Sequence, residues 1–183
     1  MHNLIKIITL SFILALWSCS KEERNNISNS RYSLIQLESN IPLDLNFDGE
    51  DNTNLLLEVK EAISNIFLYN NEQHSFIDII WVEPQINNNL LAPLPSVYSD
   101  DLTIKYQPVS RKYYYKYDKN EHSINITNPL VSDYTQNYTF QFPKYITMTH
   151  GGKELYFKTR QMFLTKKGIE DVELNVSFKE NTD

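Results

Sequence analysis

Apolar and polar residues alternate with a period of two over most of the chain beyond residue 31. That pattern is what a strand covered on one side requires, because successive side chains of a strand point to opposite faces. Tyr32, Leu34 and Gln36 alternate with Ser33, Ile35 and Leu37, and 74–82 and 102–107 are further strand candidates. Tyr113, Tyr115 and Tyr117 alternate with Lys112, Tyr114 and Lys116, and Asp118-Lys119-Asn120 turns that strand into a partner carrying Ile124 and Ile126. Gly151-Gly152 suits a two-residue turn between 144–150 and 153–165, since both central positions accept positive φ without a Cβ clash. In that register Met148 faces Leu155 and Ile146 faces Phe157, so one face is apolar, while the other carries Tyr145, Thr147, Tyr156 and Lys158. Segments 136–142 and 172–178 supply the last strands. One stretch departs from the pattern: in 54–67, Leu55, Leu56, Val59, Ala62, Ile63, Ile66 and Phe67 recur at three- and four-residue intervals, which predicts a helix. A mainly β chain with only one helix available for crossovers favours an antiparallel meander curled into a barrel or half-barrel of about eight or nine strands.

The other constraint lies near the start. Residues 7–16 form an apolar run broken only by Thr9 and Ser11, and the charged Lys21-Glu22-Glu23 follows soon after. The run has the length of a signal-peptide core and is too short to span a bilayer, which takes about 20 apolar residues. Leu16-Trp17-Ser18-Cys19 resembles a lipobox, the signal of bacterial lipoproteins, with Trp17 standing where a smaller residue is usual. The resemblance implies cleavage before Cys19 and diacylation of its thiol, with acylation of the new amino terminus as well. Two or three chains anchor a protein stably where one does not. The expected organisation is a leader at 1–18, a lipidated Cys19 and polar tether through 30, and one β domain over 31–183. Ser20-Lys21-Glu22-Glu23 also resembles the acidic tag that exports lipoproteins of Bacteroidetes-type bacteria to the outer face of the outer membrane; a solvated linker has the same composition.

Charge narrows the partners. With 17 Lys+Arg against 23 Asp+Glu the net charge is −6, which argues against a nucleic-acid backbone and against electrostatic attraction to anionic lipid. The single Cys excludes an intrachain disulfide. Membrane contact is therefore expected through acyl chains on Cys19.

Among candidate sites, Asp44, Asn46 and Asp48 followed by Gly49 have the spacing of a calcium loop, with Asn52 closing it and Glu58 as a further oxygen. Position 12 of an EF-hand loop would be Leu55, where a bidentate Glu is required, and a tight acidic turn has the same composition. Calcium is thus the one cofactor to test. Tyr113, Tyr115 and Tyr117 are candidates to line a ligand cavity, since Tyr offers a stacking face and a hydroxyl; aromatic residues also simply favour strands. No nucleophile elbow, His-Glu-x-x-His pair or phosphate loop occurs, and His74, His122 and His150 lack metal-ligand spacing. Asp78, Glu83, Asp100 and Asp101 are the acids a hydrolase would draw on.

The Asp-Leu-Asn-x-Asp-Gly stretch, Trp81-x-x-Pro84, Tyr114-Tyr115-x-Tyr117-Asp118 and Gln161-x-Phe163 together resemble uncharacterised lipocalin-like lipoproteins of Bacteroidetes. The likeness covers roughly residues 31–180 and implies a barrel without implying a ligand or a catalytic residue. The expected function is a non-enzymatic, lipid-anchored envelope domain that binds a small ligand or a partner. The alternatives are an assembly lipoprotein without a pocket and an envelope hydrolase.

Overall fold

The computed structural model describes residues 29–59, 64–70, 74–87, 94–129 and 140–182. The leader, Cys19 and the tether through residue 28 lie outside the described residues. The described residues form ten strands: β1 (Ser30–Leu43), β2 (Asn52–Asn54), β3 (Asn65–Asn70), β4 (Ser75–Ile86), β5 (Ile104–Asp118), β6 (Ser123–Pro129), β7 (Phe140–Gln141), β8 (Tyr145–Thr149), β9 (Glu154–Thr165) and β10 (Gly168–Glu180). Eight of them pair in the order β1-β3-β4-β5-β6-β8-β9-β10, always antiparallel, and β10 returns to β1, so the meander closes into a barrel. The short β2 pairs with β1 and the short β7 with β9. Closure gives each of these eight strands two neighbours, so that unpaired edge is confined to parts of strands.

The alternation read from sequence is the inside–outside alternation of this wall. On β9, Leu155, Phe157, Thr159, Gln161 and Phe163 are buried while Lys158, Arg160 and Met162 are exposed; on β10, Val172, Leu174, Val176 and Phe178 are buried against exposed Asp171, Glu173 and Lys179. The lumen is filled. Trp81 stacks on Phe140 with ring centroids 4.3 Å apart and lies 6.2 Å from Phe157, which stacks on Phe178 at 6.0 Å. Ile66, Leu68, Ile77, Ile79, Ile124, Ile146 and Leu155 close around these rings, fully buried. The polar atoms within this core are paired across it: the Trp81 indole N–H donates to Gln161 Oε1 at 2.9 Å, and the Gln161 amide donates to the Val82 carbonyl at 3.0 Å. One buried amide thus joins β4 to β9 through the lumen.

Two expectations are corrected. The helix expected over 54–67 is absent from the described part of that segment: Asn52–Asn54 is strand, 55–58 is a turn, and Asn65–Asn70 is strand, with 60–63 outside the described residues. The three- and four-residue spacing of Leu55 and Val59 reflects one closed turn, in which the Val59 N–H donates to the Leu55 carbonyl at 3.0 Å and both side chains are buried. Ile66 and Leu68 follow strand alternation instead, pairing with Tyr32 of β1 and Ile77 of β4. Without β3 a gap would stand between β1 and β4, so pairing with two neighbours outweighs the local period. The Gly151-Gly152 turn is longer than expected. Thr149 pairs with Glu154, leaving a four-residue loop with a 3-10 turn at His150–Gly152 and positive φ at His150 (51°), Gly151 (67°) and Gly152 (89°). The expected facing of Met148 and Leu155 holds. Fully buried Tyr32 ties this loop to β1 by donating its hydroxyl to the Gly152 carbonyl at 2.8 Å.

Gln161→Leu keeps the side-chain volume but strands the Trp81 N–H and the Val82 carbonyl. Each lost partner costs about 1–3 kcal/mol, so denaturant unfolding is expected to show stability lowered by about 2–4 kcal/mol with an unchanged m value.

Candidate functional site

The tyrosines proposed for a cavity are part of the filling. Tyr113 and Tyr115 are buried, and Tyr113 packs on Phe142 with ring centroids 4.3 Å apart. Tyr117, half-buried, has its hydroxyl 3.4 Å from His122 Nδ1. They stand together on one face of β5 but face packed side chains.

The acidic loop is organised by backbone N–H groups. Asp44 Oδ2 accepts from Gly49 N–H at 3.0 Å, Asn46 Oδ1 accepts from Asp48 N–H at 3.0 Å, and Asp48 Oδ1 accepts from Glu50 N–H at 2.8 Å. The Asn46 side-chain amide donates to Asp48 Oδ2 at 2.8 Å, which turns a nitrogen towards the carboxylate. Glu58 is the hub. Its buried carboxylate accepts from Leu45 N–H at 3.1 Å, from Asn46 N–H at 3.4 Å and from the Asn52 amide at 2.7 Å. Lys166 lies 3.9 Å from Asp44 Oδ2 and donates to the Phe47 carbonyl at 3.2 Å, while Lys167 pairs with Asp51 at 2.9 Å. Asp44 Oδ1 is buried without a partner. No group of three His, Cys, Asp or Glu among the described residues is placed to hold a metal ion. As placed, the cluster is a closed turn that fastens the β1 end to the β9–β10 hairpin.

The four acids of the hydrolase alternative have separate partners. Asp78 accepts from Ser110 Oγ at 2.6 Å, with Lys112 at 3.9 Å. Glu83 receives Arg111 in a two-pronged pair at 2.8 and 2.9 Å, with Glu83 buried and Arg111 partly buried. Burial raises the Glu83 carboxyl above its ordinary range, and the neighbouring guanidinium opposes that rise. Asp100 and Asp101 sit in an exposed turn.

A concave site lies instead in the barrel wall. Along the edge of β9 that faces β8 and β7, the ladder runs through Thr147↔Tyr156 and resumes only at Gln141↔Arg160. Between these points Phe142, Pro143 and Lys144 leave β9, which opens a notch of about 510 Å³. Pro143 explains the departure, since proline brings no N–H to a ladder. Phe142 and Phe157 form the floor, and Lys144, Tyr145, Thr147, Tyr156, Lys158, Arg160 and Glu173 form the rim. The Thr159 hydroxyl donates to the Gln141 carbonyl and holds the lower lip in place. Strand alternation turns the backbone N–H and C=O of at least one of Phe157, Lys158 and Thr159 towards the gap. Arg160 pairs with Asp171 at 2.9 Å, whereas Lys144 and Lys158 have no ion pair among the described residues. Tyr145 is 63% exposed, so its ring is presented to solvent at the rim.

Sequence alternation had already placed Tyr145, Thr147, Tyr156 and Lys158 on one face. It did not reveal the broken ladder, or that Lys144 and Arg160 join the same rim; Pro143 was the only signal available.

Two expected outcomes follow. Glu58→Ala removes three hydrogen bonds to a buried carboxylate and should lower stability by about 2–4 kcal/mol in denaturant unfolding. Arg111→Met leaves the Glu83 carboxylate buried without its cation, a loss of about 3–5 kcal/mol at neutral pH. A carboxyl whose folded pKa is raised stabilises the fold while protonated and loses that contribution as pH rises through the folded value. The Arg111→Met deficit should therefore shrink as pH falls towards the ordinary Glu value of 4.5, read from thermal midpoints across that range. No protein-family model, curated protein or solved structure matches the chain.

Proposed function

We propose that this protein is a lipid-anchored domain of the bacterial envelope, held through acyl chains on Cys19, that binds a ligand or partner at its outer wall and performs no chemistry itself. The observation that carries the binding half is the combination of a packed lumen with a notch in the wall. An eight-stranded barrel has an interior just wide enough for its own side chains or one small ligand, and here aromatic and branched residues occupy it. The notch has the dimensions of a small-molecule site, with an apolar floor and a few polar groups at its rim.

The anchoring half rests on the leader and Leu16-Trp17-Ser18-Cys19. The polarity of the wall supports a tethered barrel over an inserted one. Membrane barrels face lipid with apolar residues, whereas this wall exposes Lys158, Arg160, Asp171, Glu173 and Lys179. The separate partners of Asp78 and Glu83 weigh against the hydrolase alternative, because paired acid–base catalysis needs carboxyls that converge on one substrate.

The test uses the full chain in a bacterial host that acylates it. The parent is expected in the membrane fraction with a mass increment of fatty acyl groups, and Cys19→Ala in the soluble fraction without it. A photo-crosslinking residue at position 147, on the notch rim, should give an adduct in intact envelopes, and the same residue at position 116, on exposed β5 wall, should not. Unmodified protein outside the membrane would overturn the anchor, and equal labelling from both positions would overturn the notch.

A further inference from the structure

We infer that the wall notch binds an acidic sugar: one or two pyranose rings carrying a carboxylate or phosphate. The inference rests on the reading of the notch as the binding surface and adds the chemistry of what enters it. The charge at the rim sets the sign of the ligand. The chain as a whole is acidic, at −6, yet Lys144, Lys158 and Arg160 converge on this one cavity. Arg160 is neutralised by Asp171, and Glu173, opposite Arg160 in the β9–β10 register, also lines the cavity, so three cations face two carboxylates and one net positive charge is left. Lys144 and Lys158 remain as ammonium groups without an acid partner among the described residues. Such groups recognise an anion by charge-assisted hydrogen bonds, which are about twice as strong as neutral ones.

The remaining lining sets the shape. Tyr145 presents an exposed ring and Phe142 and Phe157 an apolar floor, which suit the C–H face of a saccharide ring. Thr147 and Gln141 offer a hydroxyl and an amide, and the interrupted β9 ladder offers backbone N–H and C=O groups. A bare aromatic acid would satisfy the floor and the lysines but leave these hydrogen-bonding groups without partners. A neutral sugar would satisfy the rim but leave both lysines unused. A sugar bearing an anionic group uses all three.

The test is isothermal titration of the full acylated chain in detergent with four probes: digalacturonate, glucose 6-phosphate, neutral digalactose and benzoate. Digalacturonate or glucose 6-phosphate is expected to bind, whichever is tighter naming carboxylate or phosphate as the anion, with affinity falling as salt rises. Lys144→Gln combined with Lys158→Gln should weaken that binding about tenfold or more. Thr147→Trp, which fills the notch from an exposed position, should abolish it. Both variants alter exposed side chains, and an unchanged thermal midpoint checks that they fold. Absence of binding by both acidic sugars at millimolar concentration would overturn the inference, as would equal binding of digalactose or benzoate, or full affinity in the double variant. If position 147 still crosslinks in the envelope while both acidic sugars fail, the ligand class is wrong and the notch stands; if neither occurs, both fall.

Discussion

The structure depends on how an eight-stranded barrel closes. Closing a sheet of this width encloses a space that side chains can fill. Trp81, Phe140, Phe157 and Phe178 occupy it, so every strand has an apolar inner face to bury. Filling the lumen with a Trp brings a polar N–H into the core, and a buried donor without an acceptor is costly. Gln161 resolves this because its amide is both acceptor and donor: it takes the indole proton and gives its own to the Val82 carbonyl. A Leu there would satisfy neither, and a Glu would bring an uncompensated charge. Under the proposed function, the same filling assigns recognition to the wall.

Legibility in the sequence followed range of interaction. Strands that bury one face were readable from alternation, and β9 and β10 fall close to where period two put them. The segment at 54–67 misled because two separate structures, a capping turn and β3, lie end to end with apolar residues that mimic a helical stripe. Nothing local distinguishes Ile66 and Leu68 as strand residues; their partners are Tyr32 on β1 and Ile77 across the β3–β4 hairpin. Pro84 and Pro108 pull locally in the opposite direction, since proline inside a run argues for a loop. Both lie within the β4–β5 hairpin, where Val82 pairs with Pro108 and Pro84 with Tyr106. The pairing of β3 with β4 reaches only as far as Ile80 and that of β5 with β6 begins at Tyr113, so beyond these points the outer edges of the hairpin carry no ladder among the described residues. A missing N–H is tolerated on such an edge. Extension of the hairpin is also what brings Glu83 to Arg111, a pairing that sequence spacing alone could not reveal.

The acidic loop shows how one composition serves two architectures. Carboxylates and amides at alternate positions can converge on a cation or can accept neighbouring N–H groups, and spacing does not separate the two. Glu58, placed by the Leu55–Val59 turn, reaches back to Leu45 and Asn46 and supplies an acceptor for the N–H groups of the turn. The remaining negative charge is met by Lys166 and Lys167 from the β9–β10 turn, and the Phe47 ring stacks on Tyr98 at 5.3 Å. One end of the barrel is thereby covered by contacts that join residues far apart in the chain.

The notch follows from the same accounting of backbone groups. A ladder that breaks in mid-wall leaves polar groups that solvent or a ligand must satisfy. Natural sheets confine such breaks to places where something other than a strand is accommodated. Here the break coincides with Pro143, with a cluster of cations in an acidic protein, and with an exposed Tyr. Surface charges separated by more than about 8 Å are largely screened at physiological salt, so the local potential at the rim is set by Lys144, Lys158, Arg160, Asp171 and Glu173 rather than by the overall −6.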